Sequence, residues 1–181
     1  MKQNIYDDER FFNQYEEMRD EQKGKNANDL IEIPNFRKLM PDYSGKSILD
    51  LGCGSGESDR FFVEQGASYV LGTDISTKMI EKANLTNKID GAEYEVLSME
   101  DISSLDRKFD IIISSLAFHY LKNFAKLISD CSHLLNDGGY LVFSQDHPFI
   151  TCFKPTETVK KGHMVIDDKY YGLFSDYNRP R

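Results

Sequence analysis

The segment Asp50-Leu51-Gly52-Cys53-Gly54-Ser55-Gly56 constrains the fold more than any other part of this chain. Three alternating glycines follow directly on Ser47-Ile48-Leu49-Asp50-Leu51, which reads as a short buried strand. A helix is expected next, from about Glu57 to Gln65, with Gly66 placed to end it. Glycines between a strand and a helix allow positive φ and let the backbone approach a ligand closely. The helix start adds unpaired amides and a partial positive charge. In an open parallel sheet, ligands bind at such turns, beyond the carboxyl ends of the strands.

The rest of the chain supplies the partners for that strand. Tyr69 to Asp74, Glu93 to Leu97, Phe109 to Ser114 and Tyr140 to Ser144 read as further strands. Between them, Ser76 can cap a helix whose Met79, Ile80 and Ala83 share a face. Leu121, Phe124, Leu127, Ile128, Cys131, Leu134 and Leu135 form one apolar stripe, and Asp137-Gly138-Gly139 reads as a turn into the fifth strand. This alternation predicts an α/β, Rossmann-like, doubly wound, mainly parallel sheet with helices on both faces. Residues 1–45 read as a helical N-terminal arm covering the ligand site, with Phe12, Tyr15 and Met18 or Arg19 at helical spacing. A polar stretch, Lys23 to Asp29, separates its first helix from a short helix or turn that ends at Pro34. Residues 46–148 form the ligand-binding core. Residues 149–181 are expected to be irregular, without a strand pair.

The residues at the strand ends narrow the ligand. A dinucleotide fingerprint reads G-x-G-x-x-G; here the glycines are Gly52, Gly54 and Gly56, and Glu57 stands where the third glycine would be. An acid there repels a pyrophosphate and, with Asp50, suits a ligand carrying a cationic centre. Asp74 ends the second strand, where a carboxylate can accept from ribose hydroxyls; it can equally cap the next helix. Ser98-Met99-Glu100-Asp101 after the third strand can flank a purine, although Met99 suits a core position equally well. Ser114 to Tyr120, after the fourth strand, borders the reacting centre in the expected order.

Composition excludes other classes. With 22 Lys+Arg against 30 Asp+Glu, the net charge of −8 argues against nucleic acid as the partner. No segment approaches the ~20 apolar residues of a membrane span. The three cysteines, Cys53, Cys131 and Cys152, form neither a disulfide framework nor a metal-site spacing, so no metal is expected and the cytoplasm is the expected compartment.

Taken together, ILDLGCGSG (48–56), VLGTDIS (70–76), VLSMEDI (96–102), FDIIISSLAFHYL (109–121) and LLNDGGYLVFS (134–144) resemble the class I S-adenosylmethionine-dependent methyltransferases of small-molecule type. The resemblance implies strand order 3-2-1-4-5 and S-adenosyl-L-methionine as cofactor. It implies that Gly52, Gly54 and Gly56 wrap the methionine part, with Asp50 near its amino group. Asp74 would hold the ribose, and Ile75, Met99 and Glu100 would border the adenine. Ser114 would lie near the sulfonium, and Cys53, Met79 and Ser98 complete the expected contacts. Tyr15 and Arg19 would close from the arm, Arg19 toward the cofactor carboxylate.

Departures from the family patterns count against three subclasses. No Pro-Pro-aromatic motif follows the fourth strand, no Pro-Cys dipeptide occurs, and Ser114 stands where metal-dependent enzymes carry an Asp. The implied reaction is methyl transfer to a small-molecule O, N or C nucleophile by direct displacement. His119 is the expected base, with His147 a second candidate. Two alternatives stand beside this: an NAD-dependent oxidoreductase, and a methyltransferase-like cofactor-binding module without turnover. The family continues past its fifth strand with a helix and two strands, and the 37 residues after Ser144 do not read as that set. The sheet is therefore expected to be incomplete after strand five, in a truncated chain or a shortened member. An apolar fifth strand at the edge then invites a homodimer, or a C-terminal segment folded over that edge.

Overall fold

The computed structural model describes residues 4–146 and the backbone of 163–166 and 169–172. The chain divides into two units, the first ending at Ser144.

In the first unit α1 (Glu9–Glu21) is capped by Asp8, whose carboxylate accepts from the Phe11 amide. A π-helical turn (Asn28–Glu32) runs into α2 (Ile33–Leu39). Pro34 therefore opens a helix rather than ending one. Its fixed φ suits the first turn of α2, which runs on directly from the π-helical turn.

From β1 (Ser47–Leu51) the order is α3 (Glu57–Glu64), β2 (Tyr69–Asp74), α4 (Thr77–Thr86) and β3 (Ala92–Val96). A 3-10 turn (Met99–Ser104), β4 (Phe109–Ser115), a second 3-10 turn (Phe118–Tyr120), α5 (Phe124–Leu134) and β5 (Leu135–Ser144) follow. All four ladders are parallel, and the strand order is β3-β2-β1-β4-β5, as expected. The sheet is not closed. β5 begins earlier than the glycines suggest: Leu135 already pairs with Phe109, and the ladder resumes at Tyr140 opposite Ile111. The Asp137-Gly138-Gly139 turn is thus an irregularity within the strand, with Gly138 at φ 77°.

Strand alternation sorts the core onto two faces. Leu49, Leu51 and Ile112 pack with Phe109, Leu127, Cys131 and Leu134 under α5. Ile48, Val70, Ile111 and Ile113 pack with Phe62 of α3 and Phe36 of α2. Asp50, two residues on from Ile48, shares its face. No helix among the described residues is long and apolar enough to cross a membrane.

In the second unit β6 (His163–Ile166) pairs antiparallel with β7 (Lys169–Gly172). Residues 149–181 therefore do contain a strand pair, which corrects the irregular reading. Met164-Val165-Ile166 and Tyr170-Tyr171 have strand-favouring residues, but each run is too short to stand out by periodicity. Cys152 and His147 lie outside the described residues.

Candidate functional site

The glycine turn is tied to the second strand by its own backbone. The amides of Gly52 and Cys53 both donate to the Thr73 carbonyl, at 2.7 and 3.0 Å. The Gly54 amide donates to Asp74 Oδ2 at 3.0 Å, and the Ser76 amide to Asp74 Oδ1 at 2.8 Å. One carboxylate thus joins the β1–α3 turn to the β2–α4 turn. Burial raises the Asp74 carboxyl above its ordinary value, although these amides pull the other way. Gly52 has φ 83°, and a Cβ there would lie 2.6 Å from Ala117 Cβ, so the turn and the post-β4 segment touch closely. Gly56, at φ 78°, precedes α3 and sits against the Tyr94 ring, whose hydroxyl donates to the Gly56 carbonyl at 3.1 Å.

The other residues named from the sequence fall around this turn in different ways. Ser76 caps α4, accepting from the Met79 amide at 3.2 Å, while Met79 is buried with the α4 packing face. Met99 packs on the core, and its methyl lies 3.9 Å from a Cβ built on Gly52. Ser98 caps the 3-10 turn by accepting from the Glu100 amide at 3.2 Å. Glu100, half-buried, helps line a cavity of about 290 Å³ with Asp101, Leu121, Lys126 and Asp130. Ser114 is fully buried, and its hydroxyl donates to the Leu51 carbonyl at 2.7 Å, so it braces β4 against β1. Cys53 is a free thiol whose Sγ donates weakly to the Gly54 carbonyl at 3.6 Å; burial pushes its pKa well up. His119 is half-buried, with its ring 4.3 Å from that of Tyr120.

The arm reaches the same turns. Asn4 donates to the Ile75 carbonyl at 3.2 Å, and the Ser76 hydroxyl donates to Asp7 at 2.7 Å. Lys82 of α4 pairs with Glu16 of α1. Tyr6 meets Tyr15 edge-on at 5.2 Å, and burial raises the Tyr15 hydroxyl pKa, with Asp74 and Glu57 adding to the rise. Arg19 lies 3.4 Å from Asp29 and 3.9 Å from Glu57, so it sits at the start of α3 with two carboxylates as neighbours.

Sequence reading missed four residues here. Asp7 anchors the arm, Tyr94 underlies Gly56, and Glu32 accepts from Ser115 at 2.9 Å and Ser144 at 2.5 Å. Asp59 is fully buried on α3 below the turn. Only Asp59 carried a signal: it lies three residues before Phe62, on the apolar face of its helix.

A family model described as a methyltransferase domain matches residues 49–143, more than half of the chain. A solved S-adenosylmethionine-dependent methyltransferase from Mesorhizobium loti is 32% identical, with a TM-score of 0.71 over 84% of this chain and 66% of that one. A Haemophilus influenzae protein described only as uncharacterized is 39% identical over 88% of this chain and 65% of its own length. The ubiquinone biosynthesis O-methyltransferase of Neisseria meningitidis serogroup C is 29% identical over 57% of this chain and 45% of its length. The chain thus spans about two thirds or less of the curated relatives it matches. With a family model over more than half of the chain, a 32% identical solved S-adenosylmethionine-dependent methyltransferase and the β3-β2-β1-β4-β5 sheet beside it, the chain belongs to the class I S-adenosylmethionine-dependent methyltransferases.

Proposed function

We propose that this chain transfers a methyl group from S-adenosylmethionine to a small-molecule O, N or C nucleophile. The observation that carries the reading is the Asp74 carboxylate, held between the Gly54 and Ser76 amides beside the glycine turn. The residues present fit the cofactor. Asp50 Oδ1 is shut from solvent and accepts no hydrogen bond among the described residues, as suits a carboxylate awaiting an amino group. Glu57 adds a second acid near the turn, paired with Arg19, where a dinucleotide site needs glycine. When bound, S-adenosylmethionine supplies a methyl carbon on a sulfonium leaving group.

The chain's own residues then have distinct tasks. Gly52, Cys53, Gly54 and Gly56 present backbone to the methionine part, and Asp50 faces its amino group. Asp74 accepts from the ribose hydroxyls. Ile75, Met79, Ser98, Met99 and Glu100 border the adenine, while Ser114 keeps the end of β4 in place. Tyr15 and Arg19 would close from the arm and exclude water, and Arg19, which lies between Asp29 and Glu57, would hold the cofactor carboxylate. His119 accepts the proton of an acceptor that is protonated before transfer. Alignment of the nucleophile supplies most of the rate, on the order of 7–11 kcal/mol in well-oriented intramolecular models.

The net charge of −8 supports a small molecule rather than a nucleic acid as acceptor, and so does the resemblance to the Neisseria ubiquinone biosynthesis O-methyltransferase. Free Cys53 and Cys131 suit the reducing cytoplasm. β5 ends the described sheet with Tyr140 56% and Phe143 37% exposed, which supports a homodimer through this edge.

Calorimetry with S-adenosylmethionine and S-adenosylhomocysteine tests the reading. Both are expected to bind, and Asp74→Ala to abolish binding. Labelled methyl groups should then pass to members of a panel of small phenols, acids and amines. Failure of both cofactor forms to bind the full chain would overturn it.

A further inference from the structure

Two carboxylates lie under the glycine turn without a counter-ion among the described residues. Asp50 is 3% exposed and Asp59 0%. Oδ1 of Asp50 and both oxygens of Asp59 are shut from solvent and accept no hydrogen bond among the described residues. The register explains how they meet. Asp50, Gly72 and Tyr94 form one row across β1, β2 and β3, on the face that packs against α3. Gly72 leaves the gap that Asp59 fills: a Cβ there would strike Asp59 Oδ2, and would lie 2.9 Å from both Cys53 Sγ and the Tyr94 ring. The Asp59 carboxyl is therefore wedged over the β2 backbone, within hydrogen-bonding reach of Asp50.

The groups facing the pair are the Cys53 thiol, Asp74, Glu32 and the Tyr94 hydroxyl, none of them a cation. Arg60, the next residue of α3, directs its guanidinium to Glu64 and the Thr86 carbonyl instead. Two ionised carboxylates without a counter-ion are strongly disfavoured in such a slot. One proton between them satisfies both, as an O–H of one bonded to an oxygen of the other, and leaves a single negative charge. The raised carboxyls agree: burial lifts both, and Asp59 lifts Asp50 further.

We propose that the Asp50–Asp59 pair holds one proton in the free protein and releases it to solvent when the ammonium end of an amino-acid-bearing ligand seats at Asp50. The carboxyl O–H bond breaks with its electron pair left on oxygen, the proton passes to water, and a doubly ionised pair then faces one positive charge. Asp59 is a positioning residue that acts through Asp50. The inference rests on the reading of the turn as a site for S-adenosylmethionine and its demethylated product.

The test is calorimetry of S-adenosylhomocysteine binding to the full chain at about pH 6, where the amino group of a free amino acid is fully protonated. Repeating it in buffers of different ionisation enthalpy counts the protons. About one proton per ligand is expected to be released, with affinity rising up to about tenfold per pH unit while the pair keeps its proton. Asp59→Asn gives Asp50 an amide donor in place of the shared proton. That variant is expected to bind without proton release and to lose the pH dependence. A merely structural role for Asp59 would weaken binding at every pH and leave the release unchanged. Binding to the native protein without proton release overturns the proposal and leaves the cofactor reading intact, and that count decides even where the variant does not fold. Absence of any binding overturns both.

Discussion

Gly52 and Gly54 both take positive φ, at 83° and 55°, yet alanine at the two positions meets different surroundings. A Cβ on Gly52 would lie 2.6 Å from Ala117 Cβ, while one on Gly54 would have nothing within 4 Å. A left-handed residue with a Cβ costs about 1–2 kcal/mol, and this strain is common to both variants. Ala117 is buried, and its Cβ is fixed to the backbone, so Gly52→Ala must also push the post-β4 segment away. Overpacking of this kind adds about 1–3 kcal/mol. The totals are about 2–5 kcal/mol for Gly52→Ala and about 1–2 kcal/mol for Gly54→Ala, against a typical domain stability of about 5–15 kcal/mol. With urea slopes of about 1–3 kcal/mol/M, the midpoints of the two variants should differ by about 1 M. Urea unfolding without ligand, followed by circular dichroism, reads this directly. Coincident midpoints, or a larger loss at Gly54, would refute the claim that the glycine turn abuts the post-β4 segment.

Two further outcomes follow from the strands flanking the site. Asp110 accepts from the Ser47 amide and hydroxyl, both at 2.9 Å, and from Asn136 at 3.0 Å, and these bonds hold its carboxyl below the ordinary value, the Ser47 amide foremost. A depressed carboxyl stabilises the fold above its unfolded pKa, ~3.9, and that stabilisation is lost as pH falls through the lowered value. Asp110→Asn is expected to flatten this acid limb in thermal melts from about pH 5 to pH 2, and an unchanged limb would remove Asp110 from the account. Light scattering is expected to give a dimer mass for the full chain and a monomer mass for Tyr140→Lys, because a charge on an exposed edge strand opposes pairing. A monomeric native chain contradicts pairing through β5.

The parts of this structure that could be read in the sequence are those set by local chemistry. The run Ser47–Leu51 with alternating glycines behind it admits little besides a strand and a tight positive-φ turn, and Ser76 caps α4 as its side chain allows. Pro34 was ambiguous for a local reason as well, since proline serves a helix start as readily as it follows a helix end. The β5 boundary escaped because Leu135 joins the ladder before the glycine turn, and only the partner Phe109 shows this. Asp59 and Asp7 were hidden for a different reason. Asp7 takes its meaning from Ser76, 69 residues on in the chain, and Asp59 from the way α3 folds back over Asp50 and the Gly72 gap in β2.

The Asp74 carboxylate, which bonds the amides of two successive βα turns, makes those turns one rigid body before any ligand arrives. Loop ordering is among the larger penalties of small-ligand association, and here folding has already met it. On the proposed reading, shape and recognition would then depend on the same two oxygen atoms. On that reading, even the conservative change Asp74→Glu would shift the turns and the ligand contact together.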